Sequence, residues 1–113
     1  MIRIALLLFA ALLPVAANAQ TPFMENYLHP KDDADRILAK TYLEGLRDGV
    51  MASNEMMKVK RYCMPEGVLL SDELADAAIR GWAKKQTPGP SLDNFPVAVA
   101  LIDGLKETFP CKK

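Results

Sequence analysis

The sequence predicts an all-α fold: a small, disulfide-stapled bundle of three to five helices that follows a cleaved signal peptide. Three observations predict it. Three stretches repeat apolar residues at the three- and four-residue steps of a helix, and none alternates in the manner of strands joined by hairpin turns. Only two cysteines occur, Cys63 and Cys111. Both lie downstream of an apolar leader.

The leader opens with Met1-Ile2-Arg3, continues as an apolar run from Ile4 to Val15, and ends in Ala17-Asn18-Ala19. A short basic start, an apolar middle and small residues at the end make a signal peptide cleaved after Ala19. The competing reading is a membrane anchor, but an apolar stretch of about 12 residues falls short of the roughly 20 a spanning helix needs. No later segment is apolar enough to span a membrane, so no stable insertion is expected. The organisation that follows is a signal peptide at 1–19, a flexible mature start at 20–31 and one helical domain at 32–113.

Arg3 is the one charged side chain of residues 1–19, so its removal leaves 13 basic residues against the 14 acidic ones of the full chain. Near-neutrality argues against a nucleic-acid partner. Lys58, Lys60 and Arg61 form a local basic cluster, but Glu55 and Glu66 bracket it, and a solvated surface is the better reading.

In an oxidising compartment an even pair of thiols is most simply one structural disulfide. Bridging a separation of about 48 residues removes about 4 kcal/mol of chain entropy from the unfolded state in the usual treatment. The rivals are an intermolecular bridge and a redox site, although the wide spacing lacks the Cys-x-x-Cys arrangement of a dithiol oxidoreductase.

The first predicted helix begins near Asp32 or Asp33, where an aspartate accepts free N–H groups and the acidic run suits the positive end of the dipole. Ile37, Leu38, Thr41, Tyr42, Gly45, Leu46, Gly49 and Val50 then form one continuous face. Gly45 and Gly49 each cost about 1 kcal/mol relative to alanine. A close helix crossing, within the chain or in a homodimer, is the expected compensation, and the alternative is a helix that the two glycines simply weaken.

From Asn54 to Gly67 the chain is expected to leave the helix for an ordered loop, because Pro65 and Gly67 prevent a long one. The methionines from Met51 to Met64 raise a soft-metal hypothesis, with His29 as an added imidazole. Methionine as a filler of irregular cores is the stronger reading, so no metal and no cofactor is expected.

A second helix starts at Ser71, which caps it, with Asp72 and Glu73 in the first turn and Leu70 packing from outside toward Ala75. Its buried stripe is Leu74, Ala75, Ala78, Ile79 and Trp82, the tryptophan serving as core anchor. Two prolines and a glycine end this helix in Lys85, Gln86, Thr87, Pro88, Gly89, Pro90 and Ser91, the most exposed loop the sequence predicts. Asn94 or Asp93 then caps a third helix, with Pro96 in its first turn and Val97, Ala100, Leu101, Gly104, Leu105 and Thr108 on one face. Pro110 closes it. A bond to Cys111 would tie its end to the loop before the second helix.

Catalysis finds little support, with paired carboxylates the one arrangement the sequence leaves open. A nucleophile needs a base beside it, and the lone histidine, His29, stands next to Pro30 near the mature start. There is no phosphate-binding glycine loop and no zinc-ligand cluster. The chain reads as a binding or structural module, not an enzyme.

Cys63-Met64-Pro65-Glu66-Gly67-Val68, a capped helix, Phe95-Pro96-Val97-Ala98 and the terminal Leu105-Lys106-Glu107-Thr108-Phe109-Pro110-Cys111 together resemble the Rap/Tai family of immunity proteins. Tyr42-Leu43-Glu44-Gly45-Leu46-Arg47-Asp48-Gly49 is similar to that family's first-helix segment. The resemblance implies an all-helical protein of the Gram-negative periplasm, often dimeric, that protects its producer from peptidoglycan amidases injected by type VI secretion. It implies inhibition by occlusion of the amidase active site through a protruding loop, for which 85–93 or 58–64 are the candidates. The family's disulfide carries over to Cys63 and Cys111. The alternative is a periplasmic envelope-stress or chaperone-like helical protein, which resembles the small disulfide-bonded acid-stress chaperones in size and crosslink count.

Overall fold

Asp32 opens the longest helix. Its side chain accepts the Asp35 N–H at 2.8 Å, and Asp33 and Asp35 place negative charge in the first turn. In the computed structural model, which describes residues 22–112, that helix is the second of four: α1 is Met24–Leu28, α2 Asp33–Met56, α3 Asp72–Lys85 and α4 Val97–Thr108. The fold is all-α among the described residues, with Cys63 bonded to Cys111. Residues 1–19, read above as a signal peptide, lie outside the described residues.

The helix α1 departs from the expectation of a flexible start over residues 20–31. Met24 and Tyr27 are buried in the core, three residues apart on one turn. The Met24 N–H donates to the Phe95 carbonyl at 2.9 Å, and Phe23 faces Pro96 in an isolated bridge. Tertiary partners hold a helix of five residues that is too short to be stable alone.

The face expected on α2 needs correction at its beginning. Ile37 and Leu38 are 67 % and 59 % exposed. The buried positions are Leu43, Val50 and Asn54, with Tyr42 and Leu46 half-buried beside them. At 24 residues α2 is about 36 Å long, whereas α3 and α4 have 14 and 12 residues, so no helix of equal length lies along the whole of it.

In α3 the expected stripe is in place. The Ser71 hydroxyl accepts the Leu74 N–H at 3.1 Å, and Ala75, Ala78, Ile79 and Trp82 are buried together with Ala83. The cap of α4 differs from expectation. Neither Asp93 nor Asn94 caps it: a turn in which the Phe95 N–H donates to the Leu92 carbonyl intervenes, and Pro96 occupies the cap position without a side-chain bond. Val97, Ala100, Leu101, Gly104 and Leu105 are buried as expected, whereas Thr108 is exposed and turns its hydroxyl back to the Gly104 carbonyl at 2.7 Å.

The most extensive helix contact is between α3 and α4. Its closest approach is at Gly104, where a Cβ would overlap the Ala78 backbone. The absence of a side chain there is what lets the two helices touch. Gly45 and Gly49 are different: a Cβ at either would meet nothing within 4 Å. No helix of the described chain crosses α2 closely at these two glycines.

Candidate functional site

Two stretches without regular structure carry the candidate surfaces, and each is fixed by its neighbours in a different way. The loop after α3 starts where the Gln86 and Thr87 N–H groups donate to the Ala83 and Lys84 carbonyls at 3.1 and 3.2 Å. Beyond it the chain is held three times over. Trp82 stacks on Phe95 with ring centroids 4.9 Å apart, the Asp93 N–H donates to the Ser91 hydroxyl, and the Glu25 N–H of α1 donates to the Asp93 carbonyl at 3.3 Å. Lys85, at the loop's start, reaches Glu107 of α4 at 3.0 Å.

Between these anchors Thr87, Pro88, Gly89, Pro90 and Ser91 are all exposed, and Gln86 is half-buried. A Cβ at Gly89 would overlap the Gln86 carbonyl, so the turn requires glycine there. Two prolines and a tight turn leave the loop few conformations to lose on contact with a partner. Beside it lies a cleft of about 550 Å³ that the loop shares with Leu28, His29, Arg80, Ala83 and Lys84.

Arg80 is itself positioned by α1. Its Nε donates to both oxygens of Asp76, at 3.1 and 3.0 Å, and its guanidinium lies 5.6 Å from the centroid of the Tyr27 ring. The Tyr27 hydroxyl donates to the same carboxylate. Burial first, and then the bond to Asp76, push the Tyr27 pKa above its ordinary value, so the hydroxyl keeps its proton and the Asp76–Arg80 pair its geometry.

The second stretch, residues 57–71, is tied to the end of α2 by Asn54. This buried amide donates to the Tyr62 carbonyl at 3.0 Å and accepts the Arg61 N–H at 2.9 Å. Lys60 donates to the Asn54 and Glu55 carbonyls at 2.9 and 2.8 Å, which places a cation at the negative end of the α2 dipole. The cluster read as a solvated basic surface thus contains a helix cap. The Cys63 N–H donates to the Phe109 carbonyl at 2.8 Å, and the disulfide joins this stretch to the chain beyond α4. Met51, Met64, Val68 and Leu69 line an open groove of about 430 Å³ beside it.

The structure keeps the other sequence candidates apart. Trp82 is a core anchor, whereas Gly45 and Gly49 line a separate apolar groove of about 340 Å³ with Leu46, Val50, Ala98 and Ile102. Neither glycine reaches the loop's cleft. His29 lines that cleft with Thr87 and Ser91 but makes no side-chain hydrogen bond to either, so its imidazole is not paired with a hydroxyl there. Among the described residues no three of His, Cys, Asp and Glu gather to hold a metal ion, and no helix is long and apolar enough to cross a membrane.

Asn54 and the α1 contacts are the site residues that the sequence reading missed. The spacing of Met24, Tyr27 and Leu28 ahead of Pro30 was the available signal for α1. Nothing local marks Asn54 as a clamp.

No curated protein and no solved structure matches the chain. A model of one protein family, described as the Rap1a immunity proteins, matches residues 14–111. That span takes in all four helices, the proline loop and both cysteines. The chain therefore belongs to the Rap1a immunity proteins, an assignment that points to a non-enzymatic role in immunity with a toxin as binding partner.

Proposed function

We propose that this is a periplasmic immunity protein that binds a type VI-secreted peptidoglycan amidase and occludes its active site. The loop at residues 85–91 is the element that enters the amidase cleft. The observation that carries this reading is the contrast within the loop: an exposed, proline-stiffened tip stands on a base fixed by Trp82, Phe95 and α1. A pre-organised protrusion of this kind suits the occlusion of a concave site, since little ordering entropy opposes its insertion. The alternative stretch, residues 58–64, is tied to Asn54, to the end of α2 and to the disulfide, and buries Tyr62 at its middle. Family membership supports the immunity role, and the disulfide suits an oxidising compartment.

The test is inhibition of the co-encoded amidase by the purified protein, read as release of soluble peptidoglycan fragments. Stoichiometric inhibition is expected, and it should weaken at least about tenfold in Thr87→Arg, whose side chain is exposed, with an unchanged thermal midpoint. Full amidase activity in the presence of excess native protein would sink the reading. We assign the Gly45–Gly49 face of α2 to a second copy of the chain. An apolar groove is open there, and two glycines weaken the helix without serving any close contact inside the described chain. Gly49→Glu should then convert a dimer to a monomer in sedimentation velocity, and a native monomer would refute the assignment.

A further inference from the structure

The cleft beside the proline loop carries a charge imbalance that the whole chain does not. Lysine and arginine equal aspartate and glutamate over the full sequence, at 14 each. The cleft of about 550 Å³ and a smaller crevice of about 180 Å³ nonetheless share Arg80, and together they collect Arg36, Lys40, Arg80 and Lys84 against a single acid in their lining, Asp93. Asp33 and Asp76 lie behind two of these cations, pairing with Arg36 and Arg80. Lys40 and Lys84 make no ion pair among the described residues.

Arg80 is the pivot of this run. Asp76 takes only its Nε, and the Tyr27 ring lies against the guanidinium. Its two terminal nitrogens have no hydrogen-bond partner among the described residues. A guanidinium fixed in place with two nitrogens free is suited to grip a carboxylate in bidentate fashion. Around it the floor is apolar, formed by Leu28, Ala83 and Leu92, while Gln86 and Ser91 offer hydrogen-bonding groups of the sort that pair with a peptide backbone. The larger cleft alone falls within the range of about 300–1,000 Å³ of ordinary ligand sites, so it holds more than one side chain.

We infer that this cleft, from His29 and Lys84 past Arg80 to Lys40, docks an acidic polypeptide segment of the toxin partner, one in which carboxylates are flanked by apolar residues. The inference rests on the immunity reading and extends it. The loop enters the toxin, and the cleft at its side takes an acidic segment of the toxin in return. An apolar floor and the near-neutral chain favour a polypeptide over nucleic acid, whose binding needs a marked positive excess.

The experiment uses the purified protein and a labelled hexaglutamate peptide at low ionic strength, with hexalysine and tripolyphosphate as comparators. Hexaglutamate should bind and shift the NMR signals of Lys40, Arg80 and Lys84, and hexalysine should not. The pair Lys40→Glu and Lys84→Glu should weaken hexaglutamate binding at least about tenfold. Lys106→Glu with Lys112→Glu makes the same charge change at exposed positions outside the cleft and should leave binding within about twofold. No binding, equal weakening by the two pairs, or tighter binding of tripolyphosphate at the same residues would each overturn the inference. Amidase inhibition that is indifferent to Lys40→Glu and Lys84→Glu would overturn the cleft and leave loop occlusion standing. Hexaglutamate binding in the cleft without any amidase inhibition would support the cleft and remove the immunity reading.

Discussion

Asn54 and Tyr27 show how single side chains set the two candidate surfaces. Asn54 satisfies a carbonyl and an N–H of the 57–71 stretch at once, and both its partners lie close to the core residue Tyr62, itself 2 % exposed. Asn54→Ala removes both bonds and strands two backbone groups in a partly buried place. It should cost about 2–4 kcal/mol, read as a lower urea midpoint at unchanged slope. Tyr27 acts through protonation. Its folded pKa stands above the unfolded value of about 10, chiefly because of burial, so its stabilising contribution is complete below about pH 10. Above that point the unfolded chain releases the proton first, and stability falls as pH rises toward the folded value. Tyr42 and Tyr62 are also raised by burial and add in the same direction. In Tyr27→Phe, stability should therefore decline less steeply between about pH 9 and pH 11 than in the native protein, though it should still decline. Equal slopes by urea titration across that range would show that the hydroxyl is not held as described.

Glycine has opposite meanings in two helices, and only the structure separates them. In α4 the Ala78 backbone fills the place where a Cβ of Gly104 would sit, whereas Gly45 and Gly49 of α2 face open space. Gly104→Ala should push α3 and α4 apart and destabilise the protein by about 1–3 kcal/mol. Gly45→Ala should instead stabilise the monomer by about 0.5–1 kcal/mol, since alanine leaves the unfolded chain less backbone entropy to lose and its methyl group meets no neighbour. Both are read by chemical denaturation. The sequence displays both the Gly45–Gly49 spacing and the apolar period around Gly104, yet it cannot say which glycine another helix touches. Periodicity marked out α3 and most of α4 because their stripes are continuous over three turns or more. Ser71 announced its helix because a cap is a local bond. It missed α1 because five residues complete little more than one turn, and it put Ile37 and Leu38 inside because period alone does not tell where a neighbouring helix ends. The basic cleft was illegible for a related reason: its cations come from two helices, α2 and α3, whose basic residues the sequence alone does not bring together.

At the scale of the whole molecule, the helices bury a modest core and about a quarter of the described chain lies in two irregular stretches around it. The disulfide bears on one of these stretches and not on the other. It closes a separation of 48 residues and holds 57–71 against the chain that follows α4, whereas the proline loop is anchored by Trp82, Phe95 and α1. The groove lined by Cys63 and the cleft beside the loop share no lining residue. Stability and binding should therefore come apart when the bond is removed. The double substitution Cys63→Ser with Cys111→Ser should lower the unfolding free energy by about 4 kcal/mol, a large fraction of the roughly 5–15 kcal/mol that a domain possesses. In the temperature range where the variant is still folded by circular dichroism, its inhibition of the amidase should stay within about threefold of the native protein, because the loop and the Arg80 cleft keep their own supports. A folded variant that no longer inhibits would instead show that the stapled stretch itself touches the toxin, and would transfer the binding surface from the proline loop to residues 58–64.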